Sequence, residues 1–294
     1  TLDVPLRYPV KVSDGASIRV QSGYLSEVGV RDLGLANAVA WYDAWSVPQV
    51  HVLELNRVAD SFVQNVRSFS PPSAPTEGFG VGSHLQSGGF IVRFAKRVTI
   101  ADCDLRYAQN RGSGGCGYLF ELRQSSEILT RDSVGVAGRH NFIQNWGFGL
   151  TGAVWLRIES AEGQAVGLPE APFGWTGYSE FHHSLAMANL IDSALLDDGW
   201  SAINRKSNSS GAGHTATESV IWNASGSGIV RSLQYGNGYV IGTAPGVEVL
   251  TKLQQLGAAG TSPEDHREGI GSGENLEPAS LFDDQLWRRL NPTP

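Results

Sequence analysis

The sequence predicts an all-β chain wound as a right-handed parallel β-helix, a solenoid with a C-terminal tail of helix and loop packed on it. Three observations carry this. A short phrase in which apolar and polar residues alternate, closing on an acidic residue or Asn, recurs along most of the chain. A second alternating run precedes it in successive repeats, and no helical stretch separates the two. Self-similarity at a period of ~20–50 residues marks architectures in which a repeat buries its apolar face only against its neighbours.

The closing phrases are VGVRD (28–32), SFVQN (61–65), VTIAD (98–102), ILTRD (128–132), WLRIE (155–159), NLID (189–192) and SVIWN (219–223). They end at 32, 65, 102, 132, 159, 192 and 223, so the steps between them are 33, 37, 30, 27, 33 and 31. The preceding runs include ASIRVQS (16–22), VHVLELNR (50–57), GFIVRFA (89–95), GYLFELR (117–123) and RHNFIQNW (139–146). Apolar residues at every second position line one face of a strand, and these runs are rich in Val, Ile and aromatics and broken by Gly, Asn, Ser and Pro. Without intervening helices, leucine-rich, ankyrin and tetratricopeptide solenoids are excluded, and the pattern counts against a doubly wound sheet. A propeller stays open as an alternative, although its blades need ~40–45 residues and four strands, more than these repeats hold. Asp and Asn suit sharp corners because they tolerate left-handed backbone and bond their own amides. Asp32, Asp102, Asp132 and Asn223 therefore read first as a structural corner ladder.

From about residue 246 the pattern changes, so the division expected is a β-helix over 1–245 and a bracing or capping tail over 246–294. Val247, Leu250, Leu253 and Leu256 share a helical face, SPED (262–265) has the form of a helix start, and PASLFDDQLWRRL (278–290) sets Leu281, Phe282, Leu286 and Leu290 at helical spacing. Arg288 and Arg289 fall in that helix's last turn, where cations are favoured.

The chain has 294 residues and a net charge of −7, and its four lysines (Lys11, Lys96, Lys206, Lys252) form no basic tract. This argues against a nucleic-acid partner. No stretch approaches the ~20 apolar residues of a membrane span. The chain opens on TLDVPLRYP without an initiator Met, which suggests a removed export signal, missing upstream residues, or a first coil covered by another copy in a homo-oligomer. Cys103 and Cys116 could pair or serve as small core residues, and Asn208 and Asn223 each begin a glycosylation-type triplet.

Residues with catalytic potential crowd between Arg139 and His214: Arg139, His140, His182, His183, Asp192, Asp197, Asp198, Arg205, Lys206 and His214. Four of the seven histidines lie in this quarter of the chain, with Trp146, Trp155, Trp175, Tyr178 and Trp200 among them. Residues one period apart in stacked coils become neighbours at ~5 Å. His182 precedes His214 by close to one period, so the two are expected on one face. Aromatic rings there could grip sugars. Each residue also has a structural alternative. One of His182 and His183 should face inward in an alternating strand, Asp197 and Asp198 precede Gly199 as in a turn, and Arg205 and Lys206 could be solvated loop charges. The chain carries no zinc motif, phosphate loop, dinucleotide fingerprint or GxSxG. Calcium held by Asp192, Asp197 and Asp198 remains a chemically open alternative.

The repeat, the corner Asn/Asp residues and the phrases RHNFIQNWGFG, EFHHSLAMANLID and GHTATESVIWN resemble the pectin-lyase-like superfamily over roughly residues 16–242. That resemblance implies secreted or cell-surface, polysaccharide-active proteins with substrate in a groove over the central coils. EFHH (180–183) departs from the WIDH phrase of pectate lyases. Asp192, the Asp197/Asp198 pair and His214 follow the order of polygalacturonase motifs, but NRK (204–206) precedes the histidine instead of following it.

Three functions stay open. In a β-elimination lyase acting on an acidic polysaccharide, Arg139, Arg205 or Lys206 would neutralise the uronate, and His182, His183, His214 or Tyr178 would take the proton. His140, Trp146, Asp197 and Trp200 would help bind the chain. In an inverting hydrolase, Asp197 or Asp198 would be the acid and Asp192 the base, ~6.5–9.5 Å apart. The third reading is a non-enzymatic binding or structural rod.

Overall fold

The computed structural model describes residues 6–17, 22–252 and 261–292. The run at 16–22 falls partly outside them. The chain is mostly β, and its long sheets are parallel, compatible with a β-helix or another solenoid. One sheet, ladder A, takes strands in the order His51–Asn56, Gly88–Arg93, Tyr118–Arg123, His140–Gln144, Ser179–Phe181, Trp200–Ala202, Ile229–Ser232 and Glu248–Leu250. Each comes from a successive repeat. The larger sheet contains two ladders joined through the long strand Val58–Ser68, which pairs with Lys96–Ala101 along most of its length and with Asp104 through Arg67. Ladder B continues through Ser126–Arg131, Val154–Leu156, Leu190–Asp192, Val220–Ala224, Tyr239–Thr243 and His266–Glu268. Ladder C runs through Asp104–Arg106, Val134–Val136, Glu159–Ala161 and Leu195–Leu196.

The corners behave largely as the phrases suggest. Asp32, Asn65, Asp102, Asp132 and Asn223 all have positive φ, between 49° and 56°. Asn65 Nδ2 donates to Asp32 Oδ1 at 2.8 Å, a rung one period long. Glu159 and Asp192 depart from the expectation: the left-handed residues of their turns are Arg157 and Ser193. Polar interior groups satisfy the coils between corners. Ala95 N donates to Ser125 Oγ and Cys103 N to Ser133 Oγ, both at 3.1 Å and both one repeat ahead.

Inward residues stack into a continuous core. Phe90 pairs in register with Phe120, and Phe120 lies stacked on Phe142 with centroids 4.7 Å apart. Trp155, Phe181 and Trp200 form an edge-on cluster further along. Such aromatic contacts add ~0.5–1.5 kcal/mol per pair beyond area burial. Cys103 and Cys116 are both buried free thiols, so the pairing considered for them is not made, and burial pushes the Cys103 thiol up to about 11.

The tail differs from expectation in two places. Glu248–Leu250, expected as helix, is a strand on Ile229–Ser232, and His266–Glu268 pairs with Tyr239–Thr243. Strand pairing thus runs past residue 245. Leu253 and Leu256 lie outside the described residues. SPED starts no helix, because Asp265 is spent on Ser232 Oγ, Gln234 N and Gly236 N at 2.7, 2.8 and 2.9 Å. The last helix does form, over Leu281–Leu290, with Ser280 as its N-cap. No helix among the described residues is long and apolar enough to cross a membrane.

Candidate functional site

Parallel registers bring outward side chains of ladder A into one column: Glu54, Ile91, Glu121, Ile143, Glu180, Ser201 and Arg231. Two buried carboxylates thus lie two strands apart, with Ile143 between them. A pocket of roughly 330 Å³ opens beside this column, lined among others by Tyr118, Arg139, Asn145, Trp146, His182 and His183, with Ser209 and Ser210 from a loop.

Glu180 is the centre of the site and is 1 % exposed. Its Oε2 takes a charge-assisted bond from Arg205 Nη2. Its Oε1 lies 3.3 Å from His140 Nε2 and 3.9 Å from His182 Nδ1. Burial raises the Glu180 pKa, but the Arg205 guanidinium, with His140 and His182, outweighs it and holds the carboxyl at about 2. The His140 ring is fixed by Nδ1, which donates to Tyr178 O at 2.6 Å. Desolvation depresses His140 to about 4 and drives His182 well below its ordinary value, so both rings are neutral near pH 7. Gly177 permits this approach: a Cβ there would collide with the Arg139 carbonyl oxygen.

Tyr118 packs against both rings, its centroid 5.3 Å from His140 and 6.4 Å from His182, and burial raises its hydroxyl pKa. Arg139 lies over Tyr118, 5.8 Å from the centroid, and donates to Gly112 O at 2.6 Å. The second carboxylate, Glu121, accepts from His51 at 2.9 Å, Arg123 at 2.6 Å and Asn145 at 2.7 Å. Asn145 in turn accepts from His183 Nδ1 at 2.9 Å, while His183 Nε2 faces Ser209 O at 2.9 Å. Both nitrogens of His183 are engaged. Its ring stacks on the half-exposed Trp146 at 4.0 Å, which makes the pair a wall of the pocket.

Arg139, His140, Trp146, His182, His183 and Arg205 therefore gather in or beneath the pocket. The inward-facing expectation for His182 or His183 does not hold, because the strand ends at Phe181 and both rings follow it on the outer side. Other candidates lie elsewhere. His214 packs on Tyr235 at 4.7 Å. The backbone of Ser184–Ala186 bonds to Ala212–Thr215, a step shorter than the one from His182 to His214, so the two histidines miss each other. Trp200 is fully buried in the core and cannot bind substrate. Tyr178 is not among the residues lining the pocket, and its hydroxyl accepts from Arg231 at 2.8 Å beneath a cation–π contact at 3.9 Å. Lys206 is exposed and outside the pocket lining.

The acidic candidates are dispersed. Asp192 Oδ2 accepts from Ser280 Oγ and Phe282 N at 2.9 and 2.7 Å, holding the C-terminal helix. Asp197 accepts from Ser227 N and Oγ at 3.1 Å. Asp198 accepts from Asn141 and Ser160 at 2.8 and 2.9 Å, and burial pushes its carboxyl up to about 7. The three engage separate partners, and none of them belongs to a group of three metal-ligating side chains among the described residues. Sequence reasoning missed Glu180, Glu121, Tyr118, His51 and Asn145. A charged residue at an outward strand position was the available signal, in GYLFELR and EFHH.

A scan against protein-family models and searches of curated proteins and of solved structures each found no match.

Proposed function

We propose that the chain is a lyase that cleaves a uronate-containing polysaccharide by β-elimination. In this reading its ladders close into a right-handed parallel β-helix of the pectin-lyase-like kind, and it works as a secreted or cell-surface protein. The observation that carries the reaction type is the His182–Glu180 pair beside Tyr118 and Arg139. With Nδ1 on the Glu180 side at 3.9 Å, His182 keeps its other nitrogen for the pocket it lines, as a neutral base beside a carboxylate. Arg139 neutralises the uronate carboxylate, which makes the C5 proton acidic; Arg205 is already committed to Glu180. His182 takes the C5 proton, the electrons form the C4–C5 double bond, and the C4–O bond breaks. The buried Tyr118 hydroxyl, kept protonated, supplies the proton to the leaving oxygen. Trp146 offers an exposed ring for a sugar face.

Hydrolysis is less well supported. An inverting hydrolase needs an acid that retains its proton. Glu121 and Glu180 are both held ionised by cationic or hydrogen-bonding partners, and Asp198, the carboxyl that burial raises, lies away among Asn141 and Ser160. A panel of acidic and neutral polysaccharides, assayed for unsaturated and for reducing ends, tests the reading. Unsaturated ends from a uronate polymer are expected; reducing ends alone would indicate hydrolysis, and neither product would indicate a binding or structural protein.

A further inference from the structure

Beneath the pocket, buried polar atoms face one another without a hydrogen bond between them. His140 Nδ1 must carry hydrogen, because it faces the Tyr178 carbonyl at 2.6 Å. Its other nitrogen, Nε2, faces Glu180 Oε1 across 3.3 Å. Glu180 Oε1 and His182 Nδ1 are both buried without a hydrogen-bond partner among the described residues. A single cation between the three side chains would engage all of them.

We propose that His140, Glu180 and His182 form a binding site for one divalent transition-metal ion of the zinc type. Their ligand atoms lie within 4.8 Å of one another, all on buried side chains. A tetrahedral ion with ligands at ~2.0–2.1 Å sets them ~3.4 Å apart, so His140 and Glu180, at 3.3 Å, are already in place and the widest gap closes by up to about 1.4 Å. Two imidazoles and one carboxylate suit borderline ions such as zinc, cobalt or nickel over calcium, which takes six or more oxygens. Arg205 on Oε2 and the Tyr178 carbonyl on His140 are outer partners that aim the ligands. The pocket lined by His182 leaves room for a further ligand. This site goes beyond the elimination reading and stands or falls without it. Metal on His182 Nδ1 places the ring proton on Nε2, so metal and catalysis by that base exclude each other.

The test uses the whole chain, stripped with a chelator and titrated with Zn²⁺ by calorimetry, with X-ray absorption on the loaded protein. One equivalent is expected, with a nitrogen/oxygen shell that includes two imidazoles. At least a tenfold loss of affinity is expected in His140→Ala and in His182→Ala, each checked for folding by circular dichroism. Should a variant not fold, the absorption spectrum of the unaltered protein decides alone. No saturable binding, a sulfur in the shell, or affinity unchanged in both folded variants would overturn the site.

Discussion

At the scale of single residues, burial sets the chemistry. Glu180 and Asp198 are both buried carboxyls, yet one is held at about 2 and the other raised to about 7, because only Glu180 has a guanidinium beside it. Asp198 has a folded pKa above the 3.8 of the free side chain, so between these values the folded chain holds a proton that the unfolded chain has lost. Stability from this group is then present in acid and is lost as pH rises from about 4 to about 7. Asp198→Asn removes the penalty while keeping an acceptor for Asn141 and Ser160. Urea unfolding is expected to show the variant more stable at pH 8, by up to roughly 4 kcal/mol, and near parity at pH 4. Trp200 makes the opposite point: its indole fills the interior against Trp155 and Phe181. Trp200→Ala is expected to cost about 3–5 kcal/mol in the same assay.

At the scale of elements, the contacts that matter join segments far apart in sequence. Asp192 caps the distant C-terminal helix, through Ser280 and Phe282 N. Asp192→Ala is expected to speed hydrogen exchange across 281–290 well before the rest of the chain, at a cost of about 1–2 kcal/mol. Gly177 stands where any side chain meets the Arg139 carbonyl. Gly177→Ala is expected to destabilise by about 2–4 kcal/mol and to disturb His140, read as a change in its ring resonances. The strands and their corners were legible because period-2 alternation and left-handed Asp and Asn are local properties. The segment Val247–Leu250 was misread because its apolar residues fit a helix or a strand equally. Asp192 looked catalytic because nothing local reveals that its partner is Phe282 N.

At the scale of the whole molecule, the site depends on register, which the sequence hides. Phe90 pairs with Phe120, but Val230 pairs with Val249, a much shorter step along the chain. An average period therefore put His182 opposite His214 and left Glu180 unconnected to His140. The crowding of His, Arg and Trp between 139 and 214 was visible; which of them share a wall was not. Residues from several repeats meet at this pocket, and that convergence is what the proposed elimination rests on. Its most direct test is the initial rate of ultraviolet absorbance gain on a uronate polymer, in chelator-treated protein, for the unaltered chain, His182→Ala and His214→Ala. Turnover is expected in the unaltered chain, with a loss of at least a hundredfold in folded His182→Ala and little change in His214→Ala. Turnover that survives in His182→Ala, or no absorbance gain from any uronate polymer, would contradict it.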